Sequence, residues 1–468
     1  MAGTWQSLAL GHQPTFAAST ALLLTDGTVM CQEEDGRNWW RLTPDSAGSY
    51  LTGVWSPLAP MQHTRLYYAS AVLADGRVFV AGGEYSDAGS DTNTGEIYDP
   101  LQNAWSKLDP PAGWQNIGDA PCCVLPDGRL LLGQINDKRT ALFDPHANTN
   151  AWTPGPDKDD PSSEESWALL SDGAVLTVEC TNHPKAEKYA PAENRWVSAG
   201  ATPVELVEAA SIEIGPGLRL PDGQALFIGA TGNTALYQPP ANPTDPGVWK
   251  PGPQFPKINN QTVGAKDAPA CLLPNGKVLC VGGPVDGVSG DYLGPTYCFE
   301  FDGQSLTRVA DAPNLGPTSV PYECRMLMLP SGQVLFSVGT NNVQLYTPDG
   351  NPDPCWRPEV LHVPLFLRPG QQSALFGRQL NGLSQASVYG DDVSVATNYP
   401  LVRIRNRQTR NVAYCRTADH STMGVGTGKD VHSTHFTLPP NIEPGPSELA
   451  VVANGVSSEW VRVRVLRP

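Results

Sequence analysis

Charged side chains are scarce in this chain, and basic ones are scarcer than acidic ones. They make up 17% of 468 residues, with 31 lysines and arginines against 47 aspartates and glutamates, a formal net charge of −16. Because nucleic-acid affinity depends on basic side chains that neutralise phosphates, this balance argues against a nucleic-acid partner. The sequence also lacks any apolar run near the ~18 residues of a membrane-spanning helix, so we expect no membrane partner.

The sequence shows neither a secretory leader nor a zinc-type cysteine pair. Its first residues have no basic segment followed by an apolar one, which predicts a cytoplasmic protein, or a secreted one if a leader has been removed. The ten cysteines include no CxxC pair, and their even number leaves disulfides open. Several flank predicted strands, and free cysteine behaves as a small hydrophobe, so we expect reduced thiols in the core.

The sequence is rich in turn residues, with 46 glycines and 45 prolines, and it contains a repeated phrase. An apolar stretch, then Asp-Gly, Asn-Gly or Ser-Gly, then a second apolar stretch recurs seven times. Each copy predicts two strands joined by a tight hairpin. The hairpin glycines, spaced 45 to 56 residues apart, are Gly27, Gly76, Gly128, Gly173, Gly223, Gly276 and Gly332.

A second phrase, an aromatic residue, then proline, then tryptophan, follows most of the hairpins, as in IYDPLQNAW. Trp55 serves the first unit, Leu306 replaces the tryptophan in the sixth, and Trp356 ends the seventh. Seven four-stranded units predict an all-β fold, a seven-bladed kelch-type β-propeller over residues 1–356. An array of β-sandwiches is the alternative. In such an array the hairpins would not have to recur at equivalent positions, whereas here all seven do. Residues 357–468 read as short alternating strands and predict an immunoglobulin-like β-sandwich.

This order of domains, with the segments TRLYYASAVLADGRVFVAGG and DHSTMGVGTG, resembles the galactose oxidase/glyoxal oxidase family over nearly the whole chain. The resemblance implies an oxidase of alcohols or aldehydes. It also implies copper held by two tyrosines and two histidines, with one tyrosine joined to a cysteine by a thioether.

Carried over by residue, the resemblance makes Tyr67 and Tyr322 catalytic, metal-binding tyrosines. His420 becomes the histidine supplied by the C-terminal domain, Arg65 a neighbour of the site, and Tyr85 the counterpart of a tryptophan that stacks over the cofactor.

Two positions depart from the family pattern. Glu323 stands where the second histidine should be, and Ala18 where the cysteine should be. We therefore expect one divalent metal ion, which is copper by resemblance, whereas the glutamate favours iron, manganese, magnesium or calcium.

The repeat itself predicts a ring of acidic residues. The residue eight positions before each hairpin Asp, Asn or Ser begins an innermost strand, so these residues should surround the central channel. They are Ala18, Tyr67, Asp119, Glu164, Asp267 and Glu323, with Glu208 in the fifth unit if that unit holds an insertion. Converging carboxylates raise one another's pKa unless a cation compensates them, and a metal ion bound by Tyr67, Tyr322, Glu323 and His420 is the economical compensator.

Two functions from different classes follow from this ring. The first is a metal-dependent oxidoreductase acting on an alcohol, an aldehyde or an amine-bearing small molecule or peptide. Asp119 and Glu164 would then be catalytic, and Asp267, Glu208, Arg65 and Tyr85 would bind substrate. The second is a non-catalytic propeller that binds a cationic ligand or protein through its acidic funnel, since fold alone does not fix function. Simpler structural roles also stay open: a turn cap for Glu208, packing for the two tyrosines and a surface position for His420.

Overall fold

The computed structural model describes residues 3–147, 151–389 and 395–467. Within these ranges the chain forms strands and two short 3-10 helices, Pro321–Glu323 and Pro354–Trp356. Neither helix is long and apolar enough to cross a membrane. The chain is therefore all-β, as the sequence predicts.

Seven antiparallel sheets form the seven predicted blades. The first strand, β1 (Thr4–Ser7), precedes blade 1, which contains β2 (Ala18–Leu23), β3 (Val29–Glu33), β4 (Trp39–Thr43) and β5 (Val54–Pro57). Blade 2 contains β6 (Ala69–Val72), β7 (Val78–Ala81), β8 (Gly95–Asp99) and β9 (Ala104–Leu108). Blade 3 contains β10 (Cys122–Val124), β11 (Leu130–Gln134), β12 (Asp137–Phe143) and β13 (Trp152–Pro154). Blade 4 contains β14 (Ala168–Leu169), β15 (Val175–Val178), β16 (Lys185–Ala190) and β17 (Arg195–Ala201).

The last three blades follow the same plan, with additions. Blade 5 contains β18 (Gly217–Arg219), β19 (Ala225–Ile228), β20 (Thr234–Gln238) and β21 (Val248–Pro251). Blade 6 contains β22 (Val263–Gly264), β23 (Pro269–Leu272), β24 (Val278–Pro284), β25 (Tyr297–Phe301) and β26 (Leu306–Arg308). Blade 7 contains β27 (Arg325–Met328), β28 (Val334–Ser337) and β29 (Gln344–Thr347), and β1 pairs with β29 as its outer strand. The N-terminal strand therefore closes the ring.

Each predicted hairpin joins the first two strands of a blade. All seven hairpin glycines have positive φ angles, from 75° at Gly27 to 95° at Gly223. Glycine adopts this left-handed conformation without steric cost, which explains why the turn repeats with the same residue. The innermost strands that these turns follow are buried along their whole length in blades 1, 2 and 6.

The repeated tryptophan lies on the outer strand, and in blades 1, 2, 3, 5 and 7 its indole nitrogen donates to a carbonyl group on or just after the outer strand of the preceding blade. In blade 2, Trp105 pairs in register with Tyr98, and its indole nitrogen donates to the Ala59 carbonyl oxygen at 2.9 Å. In blade 7 the equivalent residue is Trp5, which pairs with Tyr346 and donates to Ala310 O at 2.7 Å. The expectation that Trp356 completes the seventh unit is therefore wrong, because β1 supplies that strand.

The C-terminal region forms a nine-stranded sheet that lies against the hairpin ends of the blades. Its strands are β30 (Glu359–His362), β31 (Phe366–Leu367), β32 (Gln372–Arg378), β34 (Leu401–Asn406), β35 (Val412–Ala418), β36 (Val431–Thr437), β37 (Gly445–Ala453), β38 (Val456–Ser457) and β39 (Val461–Val465). The immunoglobulin-like class of this region stays a prediction. A further strand, β33 (Ser387–Tyr389), leaves the sheet and pairs with β23, the innermost strand of blade 6. One of the short strands expected within residues 357–468, the segment ASVYGDD (residues 386–392), corresponds to β33, and its last three residues lie outside the described ranges.

All ten cysteines fall within the described ranges and are free thiols. Nine of them are buried, and Cys355 is exposed. This arrangement agrees with the expected role as small apolar core residues.

Candidate functional site

Six of the seven blades each send one side chain into a common cavity of about 360 Å³. These side chains stand two to four residues before the innermost strand of their blade, at the end of the propeller opposite the hairpins. In blade order they are Tyr67, Asp119, Glu164, Glu213, Asp267 and Tyr322. The cavity is therefore a product of the repeat, with an acid or a phenol at each contributing position.

Three of these side chains belong to residues with the same left-handed backbone conformation. Tyr67, Glu164 and Asp267 have φ angles of 49°, 60° and 45°, in the left-handed region that non-glycine residues seldom adopt. Such strained residues persist where the surrounding structure fixes them, often at functional sites. Because the same strained conformation recurs in three blades, we infer that the position just before the innermost strand is constrained by the role of its side chain.

Two longer connections complete the cavity wall. The connection between β7 and β8 in blade 2 supplies Glu84 and Tyr85, and the connection between β24 and β25 in blade 6 supplies Tyr292. Tyr85 is 55% exposed and lies at the mouth, whereas Glu213 is buried. Leu66 adds the cavity's aliphatic side chain.

The four tyrosine rings form a continuous wall. Ring centroids are 6.2 Å apart for Tyr85 and Tyr67, 6.1 Å for Tyr67 and Tyr322, and 4.7 Å for Tyr322 and Tyr292. Each contact is edge-to-face, with interplanar angles of 67° to 69°. The wall runs from the exposed mouth at Tyr85 to the interior.

Crowded acids shift the ionisation of their neighbours. Burial raises the pKa of Glu213 well above its usual range and Glu164 raises it further, whereas the Tyr292 hydrogen bond and the Lys266 ammonium lower it. Burial also raises the pKa of Glu84, with a contribution from Glu164. A hydrogen bond to Glu84 raises the pKa of Tyr85 to about 12. Burial and the closeness of these acids both disfavour additional negative charge in the cavity, and a cation would offset that effect.

The basic groups nearest the cavity lie behind its wall. The Lys266 ammonium is 4.3 Å from the centre of the Tyr292 ring and 2.6 Å from Glu208 Oε2. The Arg325 guanidinium is 5.7 Å from the Tyr67 ring centre and donates to the Tyr322 carbonyl oxygen at 2.5 Å. Among the described residues, the cavity lining contains no lysine, arginine or histidine.

The structure brings six of the predicted site residues together and leaves four elsewhere. Those that line the cavity are Tyr67, Tyr85, Asp119, Glu164, Asp267 and Tyr322. Arg65 is fully buried inside blade 2, where it bonds to Glu96 and to backbone carbonyl groups. Glu208 binds Lys266 instead of a substrate, because residues 208–213 fold back and place Glu213 in the cavity.

The two remaining residues were expected to bind metal. Glu323 is exposed, and one of its carboxylate oxygens lies 3.4 Å from the backbone nitrogen of Val320, so it caps a 3-10 turn. His420 is buried at the hairpin end, where Nδ1 lies 2.9 Å from Thr434 Oγ1 and the ring stacks on Tyr399. Burial lowers the pKa of His420 to about 3, which keeps the ring neutral. Its loop follows the blade 2 hairpin instead of entering the channel.

Sequence reasoning missed four lining residues: Leu66, Glu84, Glu213 and Tyr292. Glu213 stands nine positions before Asp222, as Tyr322 stands nine before Ser331. If the spacing to the hairpin had been allowed to be eight or nine residues, the sequence would have identified Glu213. Glu84 and Tyr292 lie in connections of irregular length, which the repeat does not cover.

The cavity does not provide the copper ligands that the family resemblance implies. Tyr67 and Tyr322 are present, but the lining residues include no imidazole, and Ala18 replaces the cross-linking cysteine. A second acidic group, Asp160, Glu165 and Glu187, is spaced to hold a metal ion. The Lys158 ammonium already lies 3.5, 2.9 and 2.5 Å from these three carboxylates. A lysine therefore supplies the cation there.

The fold and the repeat define the class: a kelch-type propeller that is similar to galactose oxidase. The Kelch motif model matches residues 65–111. The chain is 43% identical to galactose oxidase of Gibberella zeae over 54 residues, which is 12% of this chain and 8% of that protein. It is 27% identical to N-acetylneuraminate epimerase of Yersinia enterocolitica over 218 residues, which is 43% of this chain and 52% of that protein. The chain thus spans about half the length of the epimerase and less than a tenth of the galactose oxidase.

Two solved structures also resemble the chain. One is a fungal alcohol oxidase of the AA5 family in complex with copper, with 16% identity, a TM-score of 0.38 and coverage of 97% of this chain and 85% of the other. The second is the extracellular domain of a one-component system from B. thetaiotaomicron, with 10% identity, a TM-score of 0.49 and coverage of 99% and 58%. Both scores are low, and the fold assignment depends on the blade topology described above.

Proposed function

We propose that this protein binds a positively charged small ligand in the cavity on the propeller axis. The observation that carries the proposal is the lining itself, five carboxyl groups and four phenols with no basic side chain among the described residues. Burial, with repulsion from Glu164, raises the pKa of Glu213 and Glu84, and a bound cation would favour their ionised forms, so the cavity gains more from a cation than from a neutral ligand.

The rest of the molecule favours the same ligand charge. The net charge of −16 attracts cations at long range, and a cleft lined by one sign of charge concentrates that attraction. Because such steering is screened by salt, we expect the association rate to fall as ionic strength rises.

Isothermal titration calorimetry with manganese, calcium and methylammonium chlorides tests the proposal. Glu213→Gln prevents this cavity acid from ionising, and Glu193→Gln is the matched control because Glu193 is exposed in the turn between β16 and β17, outside the cavity lining. We expect at least one cation to bind, with affinity reduced by Glu213→Gln and unchanged by Glu193→Gln. Absence of binding by every cation, or equal affinity in the two variants, would refute the proposal.

A second candidate function is a metal-dependent oxidoreductase acting on an alcohol, an aldehyde or an amine. The observation that favours it is the 6.1 Å contact between the Tyr67 and Tyr322 rings, the two tyrosines that the resemblance assigns to the metal. Asp119, which lines the same cavity, would then accept a proton from substrate. The relatives named above include two enzymes, which agrees with catalysis.

Peroxide release separates this candidate from simple binding. The protein is loaded in turn with iron, manganese and copper and supplied with oxygen and primary alcohols, aldehydes or amines. Catalysis predicts turnover that Tyr322→Phe abolishes and Tyr237→Phe leaves unchanged, since Tyr237 donates to Pro246 in blade 5, away from the cavity. No peroxide with any metal would exclude the oxidase and leave the binding proposal intact.

A further inference from the structure

We propose that the ligand of this cavity is an organic diammonium ion, a linear aliphatic diamine or a longer polyamine, rather than a metal ion. The inference rests on the proposed cation-binding function and specifies its ligand. Three features of the cavity support it: its volume, its tyrosine wall and the placement of acids along that wall.

The cavity is larger than a metal ion requires. At about 360 Å³ it is several times the ~30 Å³ share of one water molecule and falls within the ~300–1,000 Å³ range of small-molecule pockets. A divalent cation needs oxygen ligands within about 2.6 Å, which requires the acids to converge on one point. Acids from five different blades around a space of this size match an extended ligand better.

The tyrosine wall offers a surface for both parts of an alkyl diamine. Ring faces attract ammonium groups, and the methylene groups between two ammoniums pack on aromatic surface. The four rings, with neighbouring centroids 4.7 to 6.2 Å apart, form a path from the mouth to the interior, beside Leu66. A chain-like ligand fits such a path, whereas a compact ion uses only one point along it.

Carboxyl groups occur near both ends of this wall. At the mouth, Glu84 lines the cavity beside Tyr85 and acts electrostatically on its hydroxyl group. At the inner end, Glu213 accepts a hydrogen bond from Tyr292, and Asp267 acts electrostatically on the same ring. Two separated acidic groups joined by an aromatic wall are complementary to a ligand with two separated positive charges.

Calorimetry of the full chain at neutral pH and low ionic strength tests the inference with four probes. These are 1,4-diaminobutane, n-butylamine, the neutral analogue 1,4-butanediol, and manganese chloride. We expect the diamine to bind at least about tenfold more tightly than the monoamine, since a second hydrogen bond between charged groups contributes a factor of about ten or more in affinity. The diol should show no measurable binding.

Two variants at an exposed position test the role of the wall without risk to folding. Tyr85→Ala removes the ring at the mouth, and we expect a two- to fivefold loss of diamine affinity, typical of an exposed cation–π contact. Tyr85→Phe keeps the ring and should retain most of the affinity, while Glu193→Gln, at an exposed position outside the cavity lining, should change nothing.

The outcomes separate this inference from the proposed function. Manganese that binds more tightly than the diamine and displaces it would overturn the diammonium ligand but keep the cation site. Equal affinity for the diol and the diamine would also overturn it, because charge would then not be recognised. Absence of binding by all four probes would overturn both.

Discussion

The hydroxyl group of Tyr292 donates a hydrogen bond to Oε1 of Glu213 and so links the long connection of blade 6 to the start of blade 5. Burial and the neighbouring Glu164 favour the protonated form of Glu213, and the Tyr292 bond favours the ionised form. This single bond therefore helps to decide whether the buried end of the cavity carries a negative charge. Its effect should be visible in the pH dependence of ligand binding.

Tyr292→Phe should weaken cation binding mainly at low and neutral pH. The variant loses a hydrogen bond to a charged group, worth about 1.5–3 kcal/mol, so the pKa of Glu213 rises further. Because the cation prefers ionised Glu213, the pH at which affinity reaches half its maximum should move up by about one to two units. Calorimetric titration across a pH series measures this midpoint.

The matched control for this experiment is Tyr237→Phe, which removes a hydroxyl from blade 5 that donates to Pro246 O. It should leave the midpoint unchanged. A loss of affinity in Tyr292→Phe that is the same at every pH would contradict the linkage, since it would show that the hydroxyl acts independently of Glu213 ionisation.

Glu213→Gln should stabilise the unliganded protein, and the gain should grow with pH. The folded-state pKa of Glu213 is raised, so between the unfolded pKa and the folded pKa the folded state holds a proton that the unfolded state has lost. Stability therefore falls as pH rises through this window, and the glutamine variant escapes that loss. We expect the two proteins to match near about pH 4 and to differ by on the order of 1 kcal/mol near about pH 8.

Urea unfolding at the two pH values measures this difference, with Glu193→Gln as the exposed control. Addition of a saturating cation should reverse the order at high pH, because a bound cation stabilises ionised Glu213. A glutamine variant that is less stable than the parent at high pH would contradict the idea that the cavity carries uncompensated charge.

The blades could be predicted because their sequence signal is local. A hairpin glycine with positive φ has few substitutes, so the turn repeats visibly at Gly27, Gly76 and the five later positions. The outer tryptophan is also a local signal, but the choice of Trp5 over Trp356 depends on ring closure by a strand 340 residues away in sequence. Because this pairing forms only when the ring closes, the local sequence around residue 5 does not indicate it.

The repeat could predict the site only where the spacing to the hairpin is constant, whereas Tyr322 and Tyr85 were predicted from the family resemblance. Tyr67, Asp119, Glu164 and Asp267 all stand eight residues before their turn and all line the cavity. Blade 5 departs because residues 208–213 fold back on themselves, with Ile212 in the left-handed region and its nitrogen bonded to Glu208 O. This turn moves the cavity position from Glu208 to Glu213, which stands nine residues before the hairpin Asp222, so a fixed spacing of eight residues misses it.

The misplacement of His420 has a different cause. The expectation transferred a residue by the likeness of its surrounding sequence, although the route of a loop depends on what it packs against. The His420 backbone nitrogen faces Ala74 O in the blade 2 hairpin, so the loop stays at that end. A different C-terminal segment, Ser387–Tyr389, reaches the innermost strand of blade 6 through its pairing with β23.

Trp5→Ala should destabilise the protein although Trp5 lies close to the chain terminus. Its ring lies 4.7 Å from Tyr346 and 5.2 Å from Phe336, and its indole bonds to Ala310 of blade 6. Loss of this half-buried ring and its bond should lower the free energy of unfolding by about 2–3 kcal/mol in urea. Leu10→Ala is the control, because that side chain is fully exposed, and it should change stability by less than about 0.5 kcal/mol. Equal effects would show that β1 does not close the ring in solution.

Lys158→Met should be the most destabilising of these substitutions. The Lys158 ammonium is fully buried among Asp160, Glu165 and Glu187, and it also faces the Trp196 ring at 4.8 Å. Burial raises the pKa of Glu165, and Lys158 is the group that opposes this rise. Without the lysine, three buried carboxyl groups lose their cation, and the expected loss is about 3–5 kcal/mol at neutral pH.

The same urea experiment with Lys185→Met provides the comparison, because Lys185 makes an exposed pair with Asp159 at 3.1 Å. Exposed pairs contribute about 0–1 kcal/mol, so this variant should stay close to the parent. The destabilisation by Lys158→Met should also shrink as the pH falls, since protonation of the three carboxyl groups removes the charge that the lysine compensates. A loss of stability that does not depend on pH would instead assign Lys158 a packing role against Trp196, and the three acids would then be neutral in the folded protein.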